Sequence, residues 1–93
     1  MKVTGKNGFH VTFTNGYTVS VQFGPGTYSD NYDANFDLYR NPEPLTSKTV
    51  ECAVWAKDGE MISHKMFDGN TVGGYMTPEE MLELMNWAAK QKG

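Results

Sequence analysis

Residues 9–23 read FHVTFTNGYTVSVQF, and this stretch decides the fold. Phe9, Val11 and Phe13 alternate with His10, Thr12 and Thr14, the period-two pattern of a half-buried strand. Tyr17, Val19, Val21 and Phe23 form the apolar face of a return strand, and Asn15-Gly16 between them is a strong hairpin signal. The register can be worked out on paper. A two-residue turn would put Phe13 on the face of Thr18 and split the apolar set. A three-residue loop, Thr14-Asn15-Gly16, puts Phe13 opposite Tyr17, Val11 opposite Val19 and Phe9 opposite Val21. This predicts a type I turn closed by a glycine bulge.

The same logic applies downstream. Val50, Cys52, Val54 and Ala56 share one face of a strand over 48–57. Asp58-Gly59 makes a turn, and the alternation predicts a return strand over 60–67. That register sets Val54 opposite Ile62, Cys52 opposite His64 and Val50 opposite Met66. On the other face it sets Trp55 opposite Met61 and Glu51 opposite Lys65, a cross-strand charge pair. Asp68 to Tyr75, DGNTVGGY, reads as a glycine-rich connection. Thr77-Pro78-Glu79-Glu80 then starts a helix, with an N-cap, a first-turn proline and a capping box. Met76 and Met81 are placed for a hydrophobic staple. Met81, Leu82, Leu84, Met85, Ala88 and Ala89 form an apolar stripe, and the helix is expected to end near Lys92, where Lys90 and Lys92 complement its dipole. Met1 to Asn7 reads as a polar lead. The expected class is α+β: an antiparallel sheet from two β-hairpins with one C-terminal helix packed on it, in a single domain over 1–93.

Between the two hairpins lies GPGTYSDNYDANFDLYRNPEPLTS, residues 24–47. It has no apolar periodicity, yet Tyr28, Tyr32, Phe36 and Tyr39 make it too aromatic for an ordinary disordered tract. Loops longer than about 12–15 residues are uncommon in compact domains and tend to be functional or disordered. The expectation is an ordered binding loop. Aromatic faces at Tyr28, Tyr32, Phe36 and Tyr39 suit stacking on a base or an apolar partner. Arg40 offers a planar fork for phosphate or carboxylate. Gly24 and Gly26 let backbone approach a ligand, and Asp30 and Asp33 add acceptors. The competing reading is a satellite core with Asx turns.

Other constellations are weaker. Asp33, Asn35 and Asp37 open like an EF-hand loop, but Leu38 stands where glycine is needed and Pro44 where a bidentate glutamate belongs. Cys52 beside His64 would be the seed of a nucleophilic site, but no orienting third residue is evident. His10 lies on the polar strand face, solvated or facing a partner. Gly73-Gly74 before the helix could make an anion nest, without a P-loop lysine or spacing. Trp55 and Met61 fall on the face opposite the core, and Trp87 falls off the helical stripe; these three are candidates for an interface.

Composition bounds the rest. The chain has 93 residues, 39% hydrophobic, with six Met, five Tyr, five Phe and two Trp. So small a core often gains stability by oligomerising, which makes a homo-oligomer the expectation. Eight basic against eleven acidic residues give a net charge of −3, with no basic run, which argues against a duplex-binding face. Cys52 is the single cysteine, so an internal disulfide and zinc motifs built on cysteine pairs are both excluded. MKVTGKNG has no apolar signal segment and no stretch approaches a membrane span, so a soluble, cytoplasmic protein is expected.

FTNGYTVSVQFGPGTYSDNY, KTVECAVWAKDGE and GYMTPEEMLELMNWAA together resemble small proteins encoded by phages and prophages. The resemblance implies an accessory factor that blunts host defences, in the host cytoplasm, by sequestering a nucleotide signal or binding a host defence protein. It carries over no catalytic residue. The leading expectation is therefore a non-catalytic binding protein without a cofactor or metal. The alternatives are a small enzyme acting on a nucleotide through Asp30, Asp33 or Asp37, and a virion or structural component.

Overall fold

The computed structural model describes residues 2–4, 7–24, 27–31 and 46–92. It shows an α+β fold. Among the described residues, five strands form one antiparallel sheet in sequence order: β1 (Lys2–Thr4), β2 (Gly8–Thr12), β3 (Thr18–Gln22), β4 (Val50–Trp55) and β5 (Val72–Met76). The described residues also form one helix, α1 (Pro78–Ala89), which packs on β3 and β4.

The first hairpin has the register its alternation dictates. Phe9 pairs with Val21 and Val11 with Val19. The Phe13 N–H donates to Tyr17 O at 2.8 Å, and the Gly16 N–H to Phe13 O at 2.9 Å. Gly16 has φ +90, the left-handed conformation that closes a three-residue loop and that glycine adopts without a Cβ clash. Asn15 does more than turn the chain. Its Oδ1 accepts from the Tyr17 N–H at 2.9 Å, and its Nδ2 donates to Ala88 O at 2.8 Å and Gln91 O at 2.7 Å. The hairpin tip thus brings a side-chain donor to two carbonyls at and just past the C-terminal end of α1.

The polar lead is not all lead: β1 pairs with β2, with Val3 opposite Val11. A larger correction concerns the second hairpin. Its turn forms as expected, with Ala56 N–H to Glu60 O at 2.9 Å and Ile62 N–H to Val54 O at 2.9 Å. Trp55 and Met61 form an isolated bridge. Beyond Ile62, however, the chain leaves the sheet. His64 Nδ1 accepts from the Met66 N–H at 3.1 Å and caps a 3₁₀ turn over Lys65–Phe67. The glycine-rich stretch read as a connection then returns as β5 and takes the ladder beside β4.

Cys52 consequently pairs with Gly73, not His64, and Val50 with Met76, not Met66. The reason lies in packing. Phe67 is 3% exposed, and its ring lies against the Gly73 backbone; a Cβ added there would sit 2.5 Å from Phe67 Cδ1. Only a glycine strand lets this ring reach the core. The expected Glu51–Lys65 pair does not form, because Glu51 faces the backbone of Tyr28 instead.

The core lies between α1 and the valine face of the sheet: Val19, Val21, Cys52, Val54, Leu84 and Ala88 are essentially inaccessible. The helix starts as its sequence dictates. Thr77 Oγ1 accepts from the Glu80 N–H at 3.2 Å, and Glu80 Oε1 accepts from the Thr77 N–H at 3.0 Å. It ends at Ala89, short of Lys92, with Lys90 as C-cap. Leu82 of the expected stripe is 57% exposed, and Ala89 also faces solvent. Trp87 is half-buried instead, edge-on to His64 at 4.7 Å and to Tyr17 at 6.3 Å. Among the described residues, no helix is long and apolar enough to cross a membrane.

Candidate functional site

The 24–47 loop leaves the sheet after β3 and returns before β4, and both of its ends are tied down. Asn31 joins them: its Nδ2 donates to Phe23 O at 2.7 Å and to Thr46 O at 3.1 Å. A second tie runs between Asp30 and Thr49. The Asp30 N–H donates to Thr49 Oγ1 at 2.9 Å, and the Thr49 hydroxyl donates to Asp30 Oδ1 at 2.7 Å. A third fastens the outgoing limb of the loop to the sheet. The Tyr28 N–H donates to Glu51 Oε2 at 2.6 Å, and Tyr28 O accepts from the Tyr75 N–H at 2.7 Å. A charged acceptor such as Glu51 makes this one of the stronger kinds of hydrogen bond.

Small polar residues complete the stem. Gly24 is buried, and its carbonyl accepts from the Thr27 hydroxyl at 2.6 Å. Ser29 is fully buried; its hydroxyl pairs with that of Thr27 at 2.9 Å and accepts from the Asn31 N–H at 3.3 Å. On the return side, the Ser47 hydroxyl donates to Thr49 O at 2.5 Å. Among the described residues, no buried side-chain nitrogen or oxygen lacks a partner.

A bulge shapes the neighbouring edge. Val50 pairs with Met76 and Cys52 with Gly73, so Gly74 and Tyr75 together oppose the single residue Glu51. Tyr75 adopts φ +52, which is strained for a bulky side chain, and its ring stands 54% exposed. Tyr28, joined to it through the backbone, is 52% exposed. Two cavities flank the return segment. One of about 400 Å³ is lined by Asp30, Thr46, Ser47 and Lys48. The other, of about 290 Å³, is apolar and lined by Phe9, Val21, Phe23, Val50 and Met81, with Thr46 and Ser47 on one side.

Of the residues expected to form the site, the structure places Gly24, Tyr28 and Asp30 in this stem. Gly26, Tyr32, Asp33, Phe36, Tyr39 and Arg40, with Asp37 of the alternative reading, lie outside the described residues. Asn31, Thr49, Glu51 and Tyr75 were not anticipated. Their ties span up to 47 positions, between Tyr28 and Tyr75, and no local pattern announces them. Trp55 and Met61 lie on the sheet face away from α1. Trp55 is half-buried and edge-on to the exposed His10 at 5.1 Å, and Met61 is 42% exposed.

The reactive-residue readings meet physical obstacles. Cys52 is inaccessible, and burial, with the Glu51 and Glu80 charges, pushes its thiol up to about 12. Such a thiol stays protonated at neutral pH. His64 is buried against Phe67 and Trp87, off the strand register that would have set it opposite Cys52. Gly73 and Gly74 lie within β5, so they form no nest at the helix start. Among the described residues, no three His, Cys, Asp or Glu side chains are placed to hold a metal ion. The chain matches no family model, no curated protein and no solved structure.

Proposed function

We propose that this chain is a non-catalytic binding protein that presents its 24–47 loop on a locked stem and sequesters a small nucleotide. The carrying observation is the triple tie at the loop base: Asn31 to Phe23 and Thr46, Asp30 to Thr49, and Tyr28 to Glu51 and Tyr75. A stem fixed by several mutually supporting hydrogen bonds, one of them to a carboxylate, would order the loop ends before a ligand arrives, which lowers the entropy cost of binding. The cavities beside Thr46 and Ser47 supply concave space at the same place. The rings of Tyr28, Tyr32, Phe36 and Tyr39 would stack on bases, and Arg40 would hold phosphate. Each lost stacking ring is worth about 1–3 kcal/mol. The resemblance to small phage and prophage proteins supplies the context, an inhibitor of host immunity that removes a signalling nucleotide.

A second reading is favoured by one observation. Tyr28 and Tyr75 stand side by side, each more than half exposed, at the rim of the stem. Tyrosines so placed are typical anchors of a protein interface, and the partner would be a host defence protein.

A thermal-shift screen of cyclic and linear nucleotides separates these readings. A nucleotide that raises the melting temperature and is recovered chemically intact supports sequestration. Recovery of an altered nucleotide, with alteration abolished by Asp33→Ala, supports an enzyme. No shift with any nucleotide, together with a cell-extract protein captured by wild type but not by Tyr32→Ala, supports the second reading.

A further inference from the structure

A helix of 12 residues is about 18 Å long and about 10 Å wide with its side chains. Five strands about 4.8 Å apart make a sheet about 19 Å across. A single helix on such a sheet covers its middle, and α1 indeed lies over β3 and β4. Beside the first turn of α1, the apolar side chains of Phe9, Phe23 and Val50 line a depression of about 290 Å³ with Met81. The depression is open to solvent, so a planar ring would lie with one face on Phe9, Phe23 and Met81. One wall of this cavity is the Thr46–Ser47 segment, and the same two residues line the larger polar cavity with Asp30 and Lys48. An apolar compartment and a polar one with both signs of charge thus share a wall.

We propose that the apolar compartment takes a planar bicyclic ring, and that the polar part of the same molecule crosses Thr46–Ser47 toward Asp30 and Lys48. Lys48 is exposed and supplies a cation for an anionic group. Asp30 gives one oxygen to Thr49, and its second oxygen accepts from a ligand hydroxyl. This inference rests on the small-ligand reading above. It moves the ring-binding surface from the loop tyrosines to the sheet, onto Phe9, Phe23 and Met81.

The test is methyl NMR of the full chain with ¹³C-labelled methionine, Met81 being assigned through Met81→Leu. The probes are indole, adenosine and adenosine monophosphate. Indole and adenosine are expected to shift the Met81 methyl saturably, with adenosine binding more tightly. The excess affinity of adenosine is expected to disappear in Asp30→Asn, and that of the monophosphate in Lys48→Ala. Thr46→Trp, at an exposed position on the shared wall, is expected to weaken all three at least tenfold at unchanged melting temperature. A nucleotide that binds without moving Met81 overturns the inference and leaves the small-ligand reading standing. Movement of Met81 by indole alone overturns the inference, because no polar part then crosses Thr46–Ser47 toward Asp30 and Lys48. A Met81 shift that depends only on protein concentration assigns the cavity to a second copy and overturns the inference, as does no shift at all.

Discussion

His64 sits with its ring edge-on to Trp87 and near Phe67, and its Nδ1 must carry a lone pair to accept from the Met66 N–H. Burial holds its imidazole below the ordinary value, the Lys65 charge adds to this, and Glu83 opposes it. The folded state thus favours neutral His64, and the unfolded state binds more protons below about pH 6.5. The contribution is complete above that value and is lost as pH falls toward the folded-state pKa. The melting temperature is expected to drop between pH 7.5 and 5 in wild type, and to drop less in His64→Gln. Equal slopes in both proteins would rule out His64 as the titrating group. Gly73 is the other residue with a sharp expectation. Gly73→Ala drives a methyl into Phe67 and Met76, and overpacking of this kind costs about 1–3 kcal/mol. Urea unfolding measures it. Tyr75 is strained at φ +52 and buries little, so Tyr75→Asn, which tolerates that conformation, is expected to gain about 1 kcal/mol.

At the scale of elements, the parts with local signals were legible and the parts with distant partners were not. The first hairpin was readable because its alternation and Asn15-Gly16 agree on a single register. The start of α1 was readable because Thr77, Pro78 and Glu80 act within one turn. The return strand over 60–67 was misread because Ile62, His64 and Met66 alternate with polar residues as a strand would. What removes them from the sheet is a cap at His64 and a slot for Phe67 made by Gly73, both beyond the reach of periodicity. β5 was hidden for the same reason, since Gly73 and Gly74 lower its apparent strand character. Of the candidate site, the described stem was legible at Gly24, Tyr28 and Asp30. Aromatic composition pointed to the 24–47 loop, but Asn31, Thr49 and Glu51, which fix its ends, look like ordinary polar residues. Asn15 too was read only as a turn, although it clasps the end of α1. Asn15→Ala removes those two bonds and is expected to cost about 1–3 kcal/mol in urea unfolding. A cost no larger than that of an exposed substitution would mean that the clasp contributes nothing.

For the molecule as a whole, the proposed function would separate stability from binding. The core between α1 and the valine face holds the chain together, while the loop stem is a polar assembly at one end of β3 and β4. Thr49→Val and Asn31→Ala are therefore expected to cost only about 1–3 kcal/mol of global stability while weakening binding strongly. The acidic balance, with a net charge of −3, gives no long-range attraction for a nucleotide, so the proposed affinity would rest on local contacts at the stem and its cavities. The most direct measurement is native mass spectrometry of the protein purified from cells and re-exposed to nucleotide-containing extracts, in wild type and in Asn31→Ala. The expected result is a wild-type species that retains a nucleotide mass, released intact, and a stem variant of the same subunit count without it. A wild type that retains no small molecule in any extract, or a stem variant that retains it equally well, would contradict the claim that the locked stem makes this chain a nucleotide-binding protein.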